Sequence, residues 1–221
     1  AIAASAAEAA RNADAVMIAL PANGHRRVID AVAPYLADGQ VVLISSHCSF
    51  GALYLAKALA ARKVKVPIVA WSTTVTTGRQ RGLSEVSVSN VRKKVDASVL
   101  PVSALERGLS LCRALFGDRF NQRPDILAIS LSNLNPQNHM GIALCNLTRM
   151  ERGETWGQSA NTTPSVGRLL EALDGERLAI AGAFGHTVRT IKDHFSLSFN
   201  VAPGSVGEMA AAMVARGDGT T

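Results

Sequence analysis

The sequence predicts an α/β chain in which a doubly wound parallel sheet gives way to an all-helical domain, and three observations carry that expectation. The runs Ala15-Val16-Met17-Ile18-Ala19-Leu20, Val41-Val42-Leu43-Ile44 and Val66-Pro67-Ile68-Val69-Ala70-Trp71 are apolar without alternation, as suits parallel strands buried on both faces. Between them lie polar loops followed by stretches of helical spacing. Beyond about residue 130 the strand-like pattern disappears and helical spacing continues to the end.

Residues 1–12 are Ala-rich and favour helix, and Asp14 leads into the first strand. Pro21-Ala22-Asn23-Gly24 breaks the chain, and from His25 to Leu36 the apolar residues Val28, Ile29, Val32 and Leu36 recur at helical spacing. The second strand ends in Ser45-Ser46-His47-Cys48-Ser49-Phe50-Gly51, before an Ala/Leu-rich helix from about Ala52 to Arg62. From Thr73 to Pro101 β-branched and polar residues alternate, as in 85–89 and 91–99, which reads as antiparallel strands closing an edge of the sheet. Val102 to Leu115 is helical, with Leu105, Leu109, Cys112 and Leu115 on one face, and Phe116-Gly117-Asp118-Arg119-Phe120 ends it.

The expected domains are 1–130 and 131–221. In the second, Met140 to Met150 reads as one helix. Thr163-Pro164-Ser165 starts another, striped by Val166, Leu169, Leu170 and Leu173, interrupted at Asp174-Gly175-Glu176-Arg177 and continued from Leu178 to Phe184. A further helix runs from Thr187 to Phe195, and Gly204-Ser205-Val206-Gly207 reads as a helix-start turn. Trp71, Trp156 and Cys145 are expected in packing roles.

Ligands in open parallel sheets bind outside the carboxyl ends of the strands, which puts the loops 21–24 and 45–51 at a binding mouth. Pro21, Ala22 and Asn23 suit the space beneath a nicotinamide ribose, or else form an ordinary strand-to-helix turn; Ser45 and His47 stand in the second loop. Asn133-Leu134-Asn135-Pro136-Gln137-Asn138-His139-Met140-Gly141 sets a histidine among amides just ahead of an apolar helix. An imidazole, with an ordinary pKa of about 6.5, is a general acid or base near neutral pH. The plainer reading is a helix start in which Asn135 caps, Pro136 fills the first turn and His139 packs. A cleft between the two domains would receive His139 from one wall and the strand-end loops from the other. Arg189 and His194 would hold a carboxylate there, or else belong to a solvated helix face.

Other chemistries find little support. With 23 Lys+Arg against 17 Asp+Glu the net charge is +6, yet the densest basic clusters, 62–65 and 92–94, lack aromatic interleaving, so no nucleic-acid partner is expected. The loop 45–49 lacks the G-x-S-x-G elbow of a hydrolase, and no histidine pair has metalloprotease spacing, so no metal site is expected. Cys48, Cys112 and Cys145 are odd in number and widely spaced, which suits a reducing, cytoplasmic setting. No apolar run reaches the roughly 18 residues of a membrane span, so no membrane partner is expected. The Ala-rich start without Met and the turn-like end suggest a fragment. No G-x-G-x-x-G turn occurs, so either the chain does not bind a dinucleotide or the first βαβ half is absent.

Asn135-Pro136-Gln137-Asn138-His139, Thr163-Pro164-Ser165-Val166, the stretch from Leu170 to Ile180, and Asp14 to Pro21 as a fourth strand together resemble the octopine/nopaline (opine) dehydrogenases of the 6-phosphogluconate-dehydrogenase-like group. That resemblance implies a partial Rossmann-type sheet binding NAD or NADP, followed by a helical catalytic domain. It also implies reductive condensation of an amino acid with a 2-oxo acid such as pyruvate. His139 then corresponds to the family's proton-transfer histidine, with Asn135, Asn138, Arg189 and His194 as substrate contacts. The aspartate that supports this histidine in the family would lie beyond Thr221. As given, the chain is expected to bind cofactor weakly or not at all and to turn over little; a homodimer is a possible assembly. The rival readings are a related 2-oxo acid or sugar-acid reductase and a non-catalytic carboxylate-binding module.

Overall fold

A computed structural model describes residues 2–45 and 50–217. The chain divides into two compact units, Ala1–Asn133 and Leu134–Thr221.

In the first unit, helix α1 (Ala6–Ala10), capped by the Ser5 hydroxyl, precedes strand β1 (Ala15–Ile18). Then follow α2 (His25–Val32), β2 (Val41–Ile44), α3 (Gly51–Arg62) and β3 (Ile68–Trp71). The strands β1, β2 and β3 are parallel, with Ala15 opposite Val41 and Val42 opposite Ile68. Every residue of β2 and β3 is buried. Val42, Ile44, Ile68 and Ala70 join a core with Ile29 of α2 and Leu55 and Leu59 of α3. Leu43, Val69 and Trp71 point into a second core with Leu109 and Cys112. Two covered faces are why these strands read as unbroken apolar runs, each buried Val, Ile or Leu contributing about 1.5–3 kcal/mol. Pro34 ends α2 early, turning Ala33–Tyr35 into a single 3-10 turn.

The expected antiparallel strands behave differently from the sequence reading. Strands β4 (Thr76–Gln80) and β5 (Val86–Val91) pair only with each other, as a ribbon apart from the main sheet, and Val86, Val88 and Val91 are exposed. The stretch 91–99 is not one strand: it breaks after Val91 and resumes as β6 (Val95–Leu100), antiparallel to β3. Nor does β6 close the sheet, whose order is β1-β2-β3-β6-β7, because the short strand β7 (Phe120–Gln122) adds outside it, parallel to β6. Between them α4 (Leu105–Phe116) packs through Gly108, Leu109 and Cys112, whereas Leu115 is exposed. A Cβ on Gly108 would stand 2.7 Å from Val99 Cγ2, so the missing side chain is what lets the helix lie close on the sheet. Burial raises the Cys112 thiol pKa above its usual range. Trp71 packs at 5.1 and 5.0 Å between ring centroids on Phe116 and Phe120. The last helix of this unit, α5 (Ile126–Leu131), is capped by the Asp125 carboxylate.

One buried side chain ties the unit's first helix to its sheet. Gln40 Nε2 donates to the carbonyls of Ala10 and Ala13, both at 2.7 Å, and its Oε1 accepts from Ala37 N–H at 2.8 Å. Replacing Gln40 with Ala removes three hydrogen bonds to backbone groups, and we expect a loss of about 2–3 kcal/mol, read as a lower urea midpoint. An unchanged midpoint would show that water reaches these groups without cost.

The second unit is all-helical among its described residues. Helix α6 (Asn135–Cys145) begins after Leu134, so Asn135 is the first helical residue and not the cap; Pro136 does occupy the first turn. The expected single helix to Met150 is broken at buried Asn146, whose Nδ2 donates to Ile142 O at 2.9 Å and Asn161 O at 3.4 Å; α7 (Leu147–Glu151) follows. Cys145 is exposed, contrary to the packing role expected of it. Helix α8 (Pro164–Ala183) runs uninterrupted through Asp174-Gly175-Glu176-Arg177, because Asp174 and Arg177 are buried against each other instead of turned to solvent. Arg177 Nη2 meets Asp174 Oδ1 at 2.7 Å and the Arg189 carbonyl at 2.5 Å, while Asp174 Oδ2 accepts from Ile191 N–H at 2.8 Å.

That last bond holds the start of α9 (Ile191–Phe199), which begins at the Thr190–Asp193 capping box, later than the Thr187 start read from sequence. The turn at Gly204 starts α10 (Val206–Ala215) as expected, through a box between Ser205 and Glu208 whose backbone and hydroxyl bonds lower the Glu208 pKa. Leu134, Ile142, Leu170, Ile191, Phe195, Val206, Met209 and Met213 form the core, with Trp156 packed against it. The helices α8 and α10 meet backbone to backbone: a Cβ on Gly167 would stand 2.6 Å from Gly207 N.

Candidate active site

The second unit encloses a cavity of about 150 Å³ lined by residues of α6, the 158–162 segment, α9 and α10. Its polar wall comprises Asn135, Asn138, His139, Gln158, Ser159, Thr162 and His194. Its apolar wall comprises Ile142, Phe195, Phe199, Ala210 and Met213, of which all but Phe199 are buried. Residues 135, 138, 139 and 142 line one side of α6 because three- and four-residue steps return to the same helix face.

His139 Nδ1 donates to Gln158 Oε1 at 3.0 Å. Since that oxygen only accepts, Nδ1 carries a proton, and in the neutral ring Nε2 then holds the lone pair that exchanges a proton with a ligand. The neighbouring Asn138 places its Oδ1 in a buried position with no hydrogen-bond partner among the described residues. Such an acceptor carries a desolvation cost of about 1–3 kcal/mol that an N–H of a bound molecule relieves. His194 lies opposite in sequence terms, on α9, with Nδ1 3.4 Å from Ser198 Oγ. Its ring, with those of Phe195 and Phe199, forms an edge-on cluster with centroid distances of 6.4, 6.2 and 5.5 Å. Among the described residues, the ionisable groups lining the cavity are the two imidazoles.

The structure therefore gathers His139, Asn135, Asn138 and His194 around one cavity. Arg189 stands outside its lining, on the exposed segment before α9, where its carbonyl accepts from Arg177. Gln158, Ser159, Thr162, Phe195, Phe199 and Met213 were missed by sequence reasoning. Gln158 and Ser159 sit in a polar stretch without periodicity or motif, and Phe195, Phe199 and Met213 look like ordinary core residues.

In the first unit, the expected cofactor residues gather at the carboxyl ends of β1 and β2. After β1, Pro21 caps a single 3-10 turn (Ala22–Gly24), and Pro21, Ala22 and Asn23 are exposed. Ser45 follows β2, and its N–H donates to Ile18 O at 2.9 Å, which fixes the roots of the two loops side by side. His25 Nε2 donates to Leu20 O at 3.0 Å, locking the first loop's base. His47 lies outside the described residues. Among the described residues, no group of three or more His, Cys, Asp or Glu could hold a metal, and no helix is long and apolar enough to cross a membrane.

The fold of a mixed α/β sheet unit followed by a helical unit is shared with several solved structures to which this chain is similar. An octopine dehydrogenase solved with NADH and L-arginine superposes with a TM-score of 0.75 at 17% identity, over 95% of this chain and 56% of that one. A yersinopine dehydrogenase without ligand gives 0.68 at 17% identity, over 85% and 48%. A ketopantoate reductase of the PanE/ApbA family from Ralstonia eutropha gives 0.58 at 17%, over 97% and 66%.

The sequence is more particular than the fold. Residues 122–217 match the family model of the NAD/NADP octopine/nopaline dehydrogenase alpha-helical domain. The opine dehydrogenase of Arthrobacter sp. (strain 1C) is 28% identical over 202 residues, which are 90% of this chain and 56% of that protein. The chain is thus similar to the octopine/nopaline dehydrogenases, as its motifs suggested, and spans about half the length of the curated relative it matches.

Proposed function

We propose that this chain belongs to an NAD(P)H-dependent opine dehydrogenase that joins the amino group of an amino acid to the carbonyl carbon of a 2-oxo acid such as pyruvate. The observation that carries the reading is His139. It stands on the first helix of the unit matched by the family model, in a cavity, with its Nδ1 proton engaged and its Nε2 open. The orphaned Asn138 Oδ1 beside it is an acceptor that the substrate's amine N–H satisfies.

In this reading the substrate ammonium gives one proton to His139 Nε2, and the free amine adds to the 2-oxo acid carbonyl while a second N–H proton passes to the carbonyl oxygen, making a hydroxyl. His139 returns the first proton to that hydroxyl, which leaves as water as the protonated C=N bond forms, so one imidazole serves both transfers. A bound nicotinamide supplies the hydride that reduces the C=N carbon. Pro21, Ala22, Asn23, Ser45 and His47 are the residues of this chain that would border it, and Asn135 and His194 would orient the substrate's carboxylates by hydrogen bonding. No G-x-G-x-x-G turn stands in residues 1–221, so the reading gives these residues a bordering role and no grip on the pyrophosphate. A cytoplasmic setting accords with the widely spaced cysteines.

The test is NADH and NADPH oxidation by the protein of the complete reading frame, with pyruvate alone and with pyruvate plus each of a panel of amino acids. We expect oxidation to require the amine and to yield a secondary-amine dicarboxylate detectable by mass spectrometry. A rate independent of the amine would replace this reading by that of a 2-oxo acid reductase, to which the likeness to a ketopantoate reductase fold also points.

A further inference from the structure

The break between α6 and α7 is fastened to the turn that carries Gln158. Buried Asn146, at the break, donates to the carbonyl of Asn161, and Arg149 of α7 donates to the Asn161 side-chain oxygen. Asn161 in turn closes the 3-10 turn Ser159–Asn161: its Nδ2 donates to Gly157 O at 2.8 Å and its N–H to Gln158 O at 3.1 Å. The hydroxyl of buried Thr162 donates to the same Gln158 carbonyl at 2.9 Å. The backbone at Gln158 is therefore fixed before its side chain makes any contact, although the residue is exposed. Only side-chain torsions remain to be ordered when that side chain reaches His139, which lowers the entropy cost of the bond.

We propose that Gln158 is the positioning residue of His139, its Oε1 holding the Nδ1 proton so that the Nε2 lone pair is presented to the cavity. Without such an acceptor an imidazole in water prefers to carry its proton on Nε2. A ring in that form has no lone pair where the substrate ammonium must deliver its proton. A neutral amide also suits a group that has to give back the proton it takes, since a carboxylate in its place would stabilise the imidazolium and oppose the return. Among the described residues, the other titratable group on the cavity wall is His194 of α9, and α10 contributes Ala210 and Met213. From α8, Asp174 reaches α6 at Gln137, 3.5 Å away, and is paired with Arg177; behind the turn, Arg149 is paired with Glu154 at 3.1 Å. The tautomer stands apart from the opine reading, whereas the proton transfers it serves rest on that reading.

Nitrogen NMR of isotope-labelled histidine in the protein of the complete reading frame, above the imidazole's titration range, reads the tautomer without any turnover. We expect the His139 signals, assigned by their loss in His139→Ala, to report Nδ1–H in the unaltered protein and predominantly Nε2–H in Gln158→Leu. Gln158→Glu keeps the acceptor and should restore Nδ1–H. It should also move the acid limb of the amine-dependent rate up by about one pH unit, because the added anion favours the imidazolium. In the same assay Gln158→Leu should lower kcat by about 10-fold and leave the cofactor KM unchanged. Circular dichroism confirms that each variant is folded. Nε2–H in the unaltered protein, or one tautomer with and without Gln158, overturns the proposal, as it would if another segment of a longer protein held Nδ1. An amine-dependent rate that Gln158→Leu leaves untouched also overturns it, while the opine reading stands. An amine-independent rate accompanied by the expected change of tautomer removes the opine reading and supports the positioning role.

Discussion

Replacing His139 with Ala is expected to lower turnover by about 10²–10⁴-fold while leaving the KM for the nicotinamide cofactor nearly unchanged. Loss of this size follows from removing a positioned acid–base group whose proton transfers occur in the reaction itself. The cofactor term stays because none of the residues proposed to border the nicotinamide is on α6. The variant is not expected to disturb the fold: His139 is exposed, and among the described residues its side chain hydrogen-bonds to the exposed Gln158 side chain. Steady-state assay of the complete reading frame, paired with a thermal melt, separates the two effects. Activity that survives unchanged would return His139 to the role of an ordinary residue in a helix start.

The second large effect is on stability. Asp174→Ala should cost about 3–5 kcal/mol in the second unit, because it leaves the Arg177 guanidinium buried without its counter-ion and the Ile191 N–H without an acceptor. Removing both charges, as in Asp174→Leu with Arg177→Met, should be far milder, since no uncompensated charge remains. Urea denaturation of the two variants side by side checks this. The order would be wrong if the double variant proved the less stable. The single variant should also loosen the cavity, because Asp174 fixes the first turn of the helix that carries His194, Phe195 and Phe199.

That pair also shows where sequence reading reached its limit. In the sequence, Asp174-Gly175-Glu176-Arg177 looks like a solvated break. What keeps the helix whole is a set of partners at Arg189 and Ile191, 12 and 17 residues away from the atoms they satisfy. Strand β7 was hidden for another reason: three residues flanked by Gly117 and Asp118 carry too little pattern to register beside the helix they follow. By contrast β2 was legible to the residue, since burial on both faces leaves no polar position to blur its ends.

The site was legible in the same uneven way. His139, Asn135 and Asn138 share a short motif, so they could be found together; Gln158 reaches His139 from 19 residues on and has no local signature. Arg189 was chosen for its chemistry, but its backbone carbonyl, not its guanidinium, is what the described contacts use.

The close approach of Gly167 to Gly207 bears on more than packing. Helix α10 contributes Ala210 and Met213 to the cavity, and the point that fixes its distance from α8 contains no side chain at all. A single methyl group at Gly167 would act as a shim, levering α10 outward and widening the chamber it borders. The dimensions of the chamber, and with them the bulk of what it admits, can therefore be altered from a position that never touches the occupant.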